Sequence, residues 1–150
     1  SYFINNKGTK PVDFYHKKLG RIMWDKCGMS RNKKELLEAI DEIKKLKKHF
    51  YKNVFVPGEL YDFNEELAKA GRVADFFELG ELFARDALNR EESCGGHFRE
   101  EHQTKDGEAL RDDENYNFVS VWQYNENKEP ILHKEKLKFE SVELKSRSYK

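Results

Sequence analysis

Apolar side chains recur along the first two thirds of the chain at spacings of three and four. Val12, Tyr15, Leu19, Ile22 and Met23 make one stripe behind Pro11, which predicts a helix from Pro11 to Trp24 that stops near Lys26. Cys27, Gly28 and Met29 break the stripe, and Ser30 is of the residue type that caps the helix that follows. From Arg31 to Tyr51 the stripe returns as Leu36, Leu37, Ile40, Ile43, Leu46 and Phe50, with glutamates early and lysines late, an order that complements the helix dipole. The stretch NVFVPGELY at 53–61 reads as an apolar connector, and Asp62 with Glu65 has the spacing of a capping box.

A third helix is expected from Phe63 to Glu91. Its apolar residues, from Leu67 through Phe76, Phe77, Leu79, Leu82 and Phe83 to Leu88, cover more than one narrow stripe, so it should meet neighbours on two sides. Gly71 and Gly80 each cost about 1 kcal/mol relative to alanine inside a helix, and each is expected to permit a close backbone approach. Beyond Glu101 the period changes. Residues 102–114 are polar and read as a loop, whereas Phe118, Ser120, Trp122 and Tyr124 alternate with Val119, Val121 and Gln123 as in a strand. NENKEP at 125–130 turns the chain, and Ile131 to Phe139 returns as its partner. The expected fold is mainly α. A three-helix antiparallel, spectrin-like bundle over 1–101 is followed by a loop and a short β-hairpin tail over 102–150 packed on it.

Charge narrows the choice of partner. Twenty-eight basic and 28 acidic side chains cancel, so no long-range field draws the chain to nucleic acid or to an anionic membrane. The lysines of the second helix interleave with Asp41 and Glu42 and read as a solvated face. No apolar run approaches the ~20 residues of a membrane span, which predicts a soluble domain without direct membrane insertion. Cys27 and Cys94 are too few for a disulfide framework, so they are expected as reduced thiols in the cytoplasm.

Candidate chemistry concentrates in NREESCGGHFREE at 89–101. Cys94, His97 and His102 could ligate a metal, but structural zinc sites draw four ligands from two paired motifs and the second pair is absent. Cys94 with His97 as thiol and base lacks a third orienting group. No GxGxxG, GxxxxGK, GxSxG, HExxH or CxxC occurs, so neither a nucleotide cradle nor a familiar nucleophile is supported. In the plainer reading Ser93 and the glycines end the third helix while His97 and Arg99 hold the loop. The density of Arg90, Arg99 and Arg111 against the surrounding carboxylates fits a docking seam better than a free surface.

REESCGGHFREE at 90–101 and RDDEN at 111–115 resemble the C-terminal region of the flavoprotein subunit of succinate dehydrogenase and fumarate reductase. That family's pattern is like R-x-E-S-R-G-A-H-x-R-x-D, then a variable loop, then R-D-D-x-N. Arg90, Glu92, Ser93, Gly95, His97, Arg99, Arg111, Asp112, Asp113 and Asn115 match, while Cys94 and Gly96 stand where many members carry arginine and alanine. LGRIMWDKCGMSRN at 19–32, AGRVADFFELGELFARDAL at 70–88 and RSY at 147–149 extend the likeness over nearly the whole chain.

The resemblance implies the C-terminal fragment of a larger enzyme that interconverts succinate and fumarate at FAD and passes electrons to an iron-sulfur subunit at the cytoplasmic face of the inner membrane. The fragment itself is expected to bind no cofactor and no metal and to carry no catalytic residue. Its expected partners are the flavin-binding and capping domains of its own subunit and the iron-sulfur subunit. Arg90, Glu92, Ser93, His97, Arg99, Arg111, Asp112 and Asp113 are the expected docking residues, and Arg99 is expected to matter more for assembly than for this domain. The alternative reading is a free-standing helical protein-interaction module.

Overall fold

The computed structural model describes residues 2–59, 63–126 and 128–145. In chain order the elements are β1 (Lys10–Pro11), α1 (Val12–Cys27), α2 (Lys33–Asn53), β2 (Val54–Phe55), α3 (Glu65–Asn89), α4 (Asp113–Tyr116), β3 (Phe118–Gln123) and β4 (Ile131–Lys136). The fold is the expected one, a mainly α bundle with a short hairpin. β1 and β2 pair in parallel, and β3 and β4 are antiparallel with Phe118 opposite Lys136 and Gln123 opposite Ile131.

The helix starts follow side-chain caps. Asn32, not Ser30, caps α2: its side chain accepts from Glu35 N (2.9 Å) and donates back to Glu35 Oε2 (3.0 Å). The reciprocal pair needs a cap three residues before a glutamate, which Asn32 satisfies and Ser30 does not. Ser30 instead donates to Glu100 Oε1 at 2.8 Å. At the start of α3 the cap is Asn64, accepting from Leu67 N at 2.9 Å, while Asp62 lies outside the described residues. α3 begins at Glu65 and ends at Asn89, two residues short of the expected span at each end.

Two clusters of buried side chains define the packing. The first joins Val12, Tyr15 and Leu19 of α1 to Ile43 and Phe50 of α2 and to Ala70, Val73 and Phe77 of α3. The second joins Cys27 to Leu36 and Ala39 and to Ala84 and Ala87. The start of α1 thus meets the end of α2 and the start of α3, and its end meets the reverse, so the bundle runs up, down and up. In the first cluster Tyr15, Phe50 and Phe77 meet edge-on or tilted, with centroids 5.1 and 5.4 Å apart. The second cluster is built on smaller side chains, three of its five buried residues being alanines.

Gly80 sits where a close approach was expected, since a methyl group there would lie 3.3 Å from Met23 Sδ. Gly71 does not. Nothing stands within 4 Å of an added carbon at that position, so its side of the helix is open. α3 does have two faces. It buries Ala70, Val73, Phe77, Ala84 and Ala87, and it leaves Phe76, Leu79 and Phe83 largely exposed. The hairpin is tied to the bundle by Trp122 Nε1 donating to Asp86 Oδ1 (3.0 Å) and by Glu129, which pairs with Lys44 (2.9 Å) and Arg85. Among the described residues no helix is long and apolar enough to cross a membrane.

Candidate functional site

The up-down-up course brings the end of α3 beside the connector between α1 and α2. There residues 31 and 99 pair as a short parallel bridge: Arg31 N donates to Phe98 O (3.1 Å) and Glu100 N to Arg31 O (2.8 Å). This is the joint through which the chain leaves the bundle.

Arg99 is its centre. Only 1% exposed, it sends Nη1 to the carbonyls of Ala87 (2.9 Å), Leu88 (3.1 Å) and Arg90 (3.4 Å), and Nε to Glu101 Oε2 (3.1 Å). Helix ends leave carbonyls without partners and carry partial negative charge, so one guanidinium both completes the hydrogen bonding and balances the dipole. Ser93, fully buried, accepts from Arg99 N (2.8 Å) and donates to Arg99 O (3.2 Å). Between them Cys94 and His97 exchange backbone hydrogen bonds at 2.8 and 3.0 Å, closing a tight turn at Gly95, whose φ of 59° favours glycine.

His97 uses both ring nitrogens. Nε2 lies 3.0 Å from Arg90 O and Nδ1 2.8 Å from Arg31 Nη1. An arginine can only donate, so Nδ1 accepts and Nε2 carries the proton. Burial holds the imidazole below its usual range despite the bond to Arg90 O, and the charges of Arg31, Arg99 and Arg90 lower it further. A neutral ring follows. Committed in this way, His97 does not converge with Cys94 and His102, and among the described residues no three such side chains gather as a metal set.

Arg90 and Glu92 bind the joint to the tail. Arg90 donates to Glu92 Oε1 (2.7 Å) and to the carbonyls of Tyr116 (3.0 Å) and Phe118 (2.9 Å), with its guanidinium 5.0 Å from the Phe118 ring centre. Glu92, 2% exposed, spends its other oxygen on Asp112 N at 2.9 Å. Asp112 then caps α4, accepting from Asn115 N at 3.1 Å, so RDDEN is a helix start inside what was expected to be loop. The physical cause is an acid followed three residues later by a backbone donor it can reach. Arg111 and Asp113 pair at 2.6 Å near the surface, and that bond raises Arg111 above its ordinary value.

Of the eight expected docking residues, Glu92, Ser93 and Arg99 are buried inside this chain and make internal bonds. Arg111, Asp112 and Asp113 reach solvent to differing extents. Three further participants lie outside the eight. Arg31 joins the α1 to α2 connector to the joint, stacking 4.9 Å from the Phe83 ring centre. Glu101 accepts from Lys33 N (2.5 Å) at the start of α2. Its burial works against ionisation, but that bond, its own backbone N–H and Arg99 outweigh the cost and hold the carboxyl below its usual range. Glu100 accepts from Ser30 and Asn32. No spacing in the sequence links positions 30–33 to 99–101, because the link exists only once the bundle has formed.

Comparison with known proteins matches this architecture. A family model described as the fumarate reductase flavoprotein C-terminus matches residues 16–149. The fumarate reductase flavoprotein subunits of Haemophilus influenzae and Helicobacter pylori are each 28% identical, over 87% and 95% of this chain and 21% and 19% of their own. The FrdA chain of an E. coli quinol fumarate reductase mutant superposes with a TM-score of 0.80 at 22% identity over 93% of this chain and 23% of that one. The Mycobacterium smegmatis Sdh1 complex in the apo form gives 0.72 at 25% identity, over 91% and 22%. The chain spans about a fifth of the length of the curated relatives it matches.

Proposed function

The chain belongs to the fumarate reductase flavoprotein C-terminal family, and from that premise we propose that it is the helical C-terminal part of a longer flavoprotein subunit, with a structural and docking role. The complete subunit interconverts succinate and fumarate at FAD and hands electrons to an iron-sulfur subunit, at the cytoplasmic face of the inner membrane. This part carries no reacting group. The observation that supports the assignment is the joint itself. Its histidine, its buried serine and its buried arginine, the groups most suited to chemistry, are consumed by bonds to the end of α3 and to each other.

The residues present do not fit a flavin. Among the described residues the parallel strands are Lys10–Pro11 and Val54–Phe55, and no glycine-rich turn carries a strand into a helix whose N-terminus could receive a pyrophosphate. FAD therefore belongs to the flavin-binding domain, against which this part docks. Arg111, Asp112 and Asp113 offer charge to that domain, to the capping domain or to the iron-sulfur subunit, while Arg90, Glu92, Ser93, His97 and Arg99 hold the shape they are offered in.

Purifying the 150-residue chain tests this. It should be colourless and should not oxidise succinate, and its reading frame should continue upstream into a GxGxxG segment. A yellow, flavin-loaded preparation contradicts the proposal. A frame that opens at these residues would make the chain a free-standing interaction module.

A further inference from the structure

A cavity of about 500 Å³ opens between the outer face of α3, strand β3 and the joint. Leu79, Leu82 and Phe83 give it an apolar wall, and Arg31, stacked on the Phe83 ring, lines it together with His97 and Ser120. Two groups in it are unfinished. Arg31 donates to the carbonyls of Gly28 (2.9 Å) and Cys27 (3.3 Å) and to His97, yet among the described residues it forms no ion pair. The Ser120 hydroxyl is the one buried side-chain polar atom among the described residues without a hydrogen-bond partner. Asp86 also lines the cavity but is engaged by the Trp122 indole. The apolar wall continues outward along α3 through Leu79 to Phe76, both exposed.

A part-buried guanidinium without a counter-ion calls for an anionic acceptor, and a carboxylate fits a guanidinium edge with two parallel bonds. A small free anion would answer Arg31 but leave the stripe of Phe76, Leu79 and Phe83 in water. A polypeptide segment with an acidic side chain between apolar ones answers both. A source is at hand, because the chain covers only about a fifth of its relatives and matches a C-terminal family model, which leaves most of such a subunit covalently attached nearby.

We propose that this cavity receives an aspartate or glutamate side chain, flanked by apolar residues, from the remainder of the same subunit, its carboxylate held by Arg31. This rests on the docking role assigned above and adds the place and the chemistry of the contact. Arg31, Phe83 and Leu79 are its recognition surface.

Cys94 lines the same cavity and is part-exposed, whereas Cys27 is buried, so the two thiols report cover and folding separately. The experiment measures alkylation by iodoacetamide in the 150-residue chain and in the full-length subunit containing it, as wild type, Arg31→Gln and Leu79→Glu. Cys94 should react at least tenfold more slowly in the full subunit. Both substitutions should abolish that protection while Cys27 stays unreactive. Leu79→Glu serves as the second variant because its exposed side chain places a competing carboxylate at the rim without touching the bonds Arg31 makes to its own connector.

If Cys94 is equally reactive in the two contexts, the cavity is uncovered and the inference fails, although docking through another face survives. Protection that persists undiminished in both variants also overturns it, since the cover then does not use Arg31. If added succinate alone protects Cys94 in the 150-residue chain as fully as the rest of the subunit does, the cavity is a small-anion site and the polypeptide assignment is wrong. Should the domain separate from the remainder once the connecting chain is cut by protease, the docking role itself falls.

Discussion

Arg99 shows how one side chain can replace a conventional helix terminator. Its guanidinium meets the last carbonyls of α3, its backbone is clasped by Ser93, and almost none of it reaches water. These internal bonds predict a loss within this domain by itself, alongside whatever Arg99 adds to assembly. Truncation to alanine takes the guanidinium from the Ala87 and Leu88 carbonyls and one of its donors from Glu101, a loss of about 3 kcal/mol or more. Urea unfolding of the 150-residue Arg99→Ala chain should show that loss, and a change below about 1 kcal/mol would place the weight elsewhere. His97 makes a prediction in pH. Burial depresses its folded pKa below the ordinary value of 6.5, so the unfolded chain binds the proton more readily. The neutral ring's contribution is complete above about pH 6.5 and is lost as the pH falls through the depressed folded value. On acidification through this interval Tm should therefore drop for the wild type and more gently for His97→Gln; parallel curves would show that the ring ionises without resistance.

Among the elements, the helices were legible because a repeat of three and four survives any tertiary context, and the strand at 118–123 because its alternation survives too. Caps were less so. Ser30 and Asn32 are equally good residue types, and only the reciprocal bond to Glu35 decides between them. The glycines of α3 show why spacing cannot fix contact. Gly80 faces Met23 and Leu19, while Gly71 faces open space. Gly71→Ala should raise stability by roughly 0.5 to 1 kcal/mol, since it adds helix propensity and meets nothing. Gly80→Ala should gain less or lose, because the new methyl must displace a thioether; thermal melts of the two variants decide the order. The hairpin's attachment was invisible to pattern, as Trp122 and Asp86 are far apart in sequence. Asp86→Ala should free the indole and speed amide exchange across β3 and β4 while leaving α1 protected. Uniform acceleration through the bundle would mean that the hairpin is part of its core.

At the scale of the molecule, the bundle divides its work between two ends. One is aromatic, with Tyr15, Phe50 and Phe77 buried together. The other is built on alanines and carries the joint, in which His97 and Arg99 already have their acceptors. The candidate site was legible as a composition, since the run from Arg90 to Glu101 stood out on charge alone. Its inward character was not, because Glu92, Ser93 and Arg99 are hidden by a bundle that local sequence does not reveal. The clasp of Arg99 on α3 also has a kinetic side. Its acceptors exist only after the final turn of that helix has wound, so the joint closes late and the two must open together. Amides at the end of α3 and those of Arg99 and Glu100 should then exchange with a single shared rate, which makes this corner, small as it is, one indivisible step in the molecule's breathing.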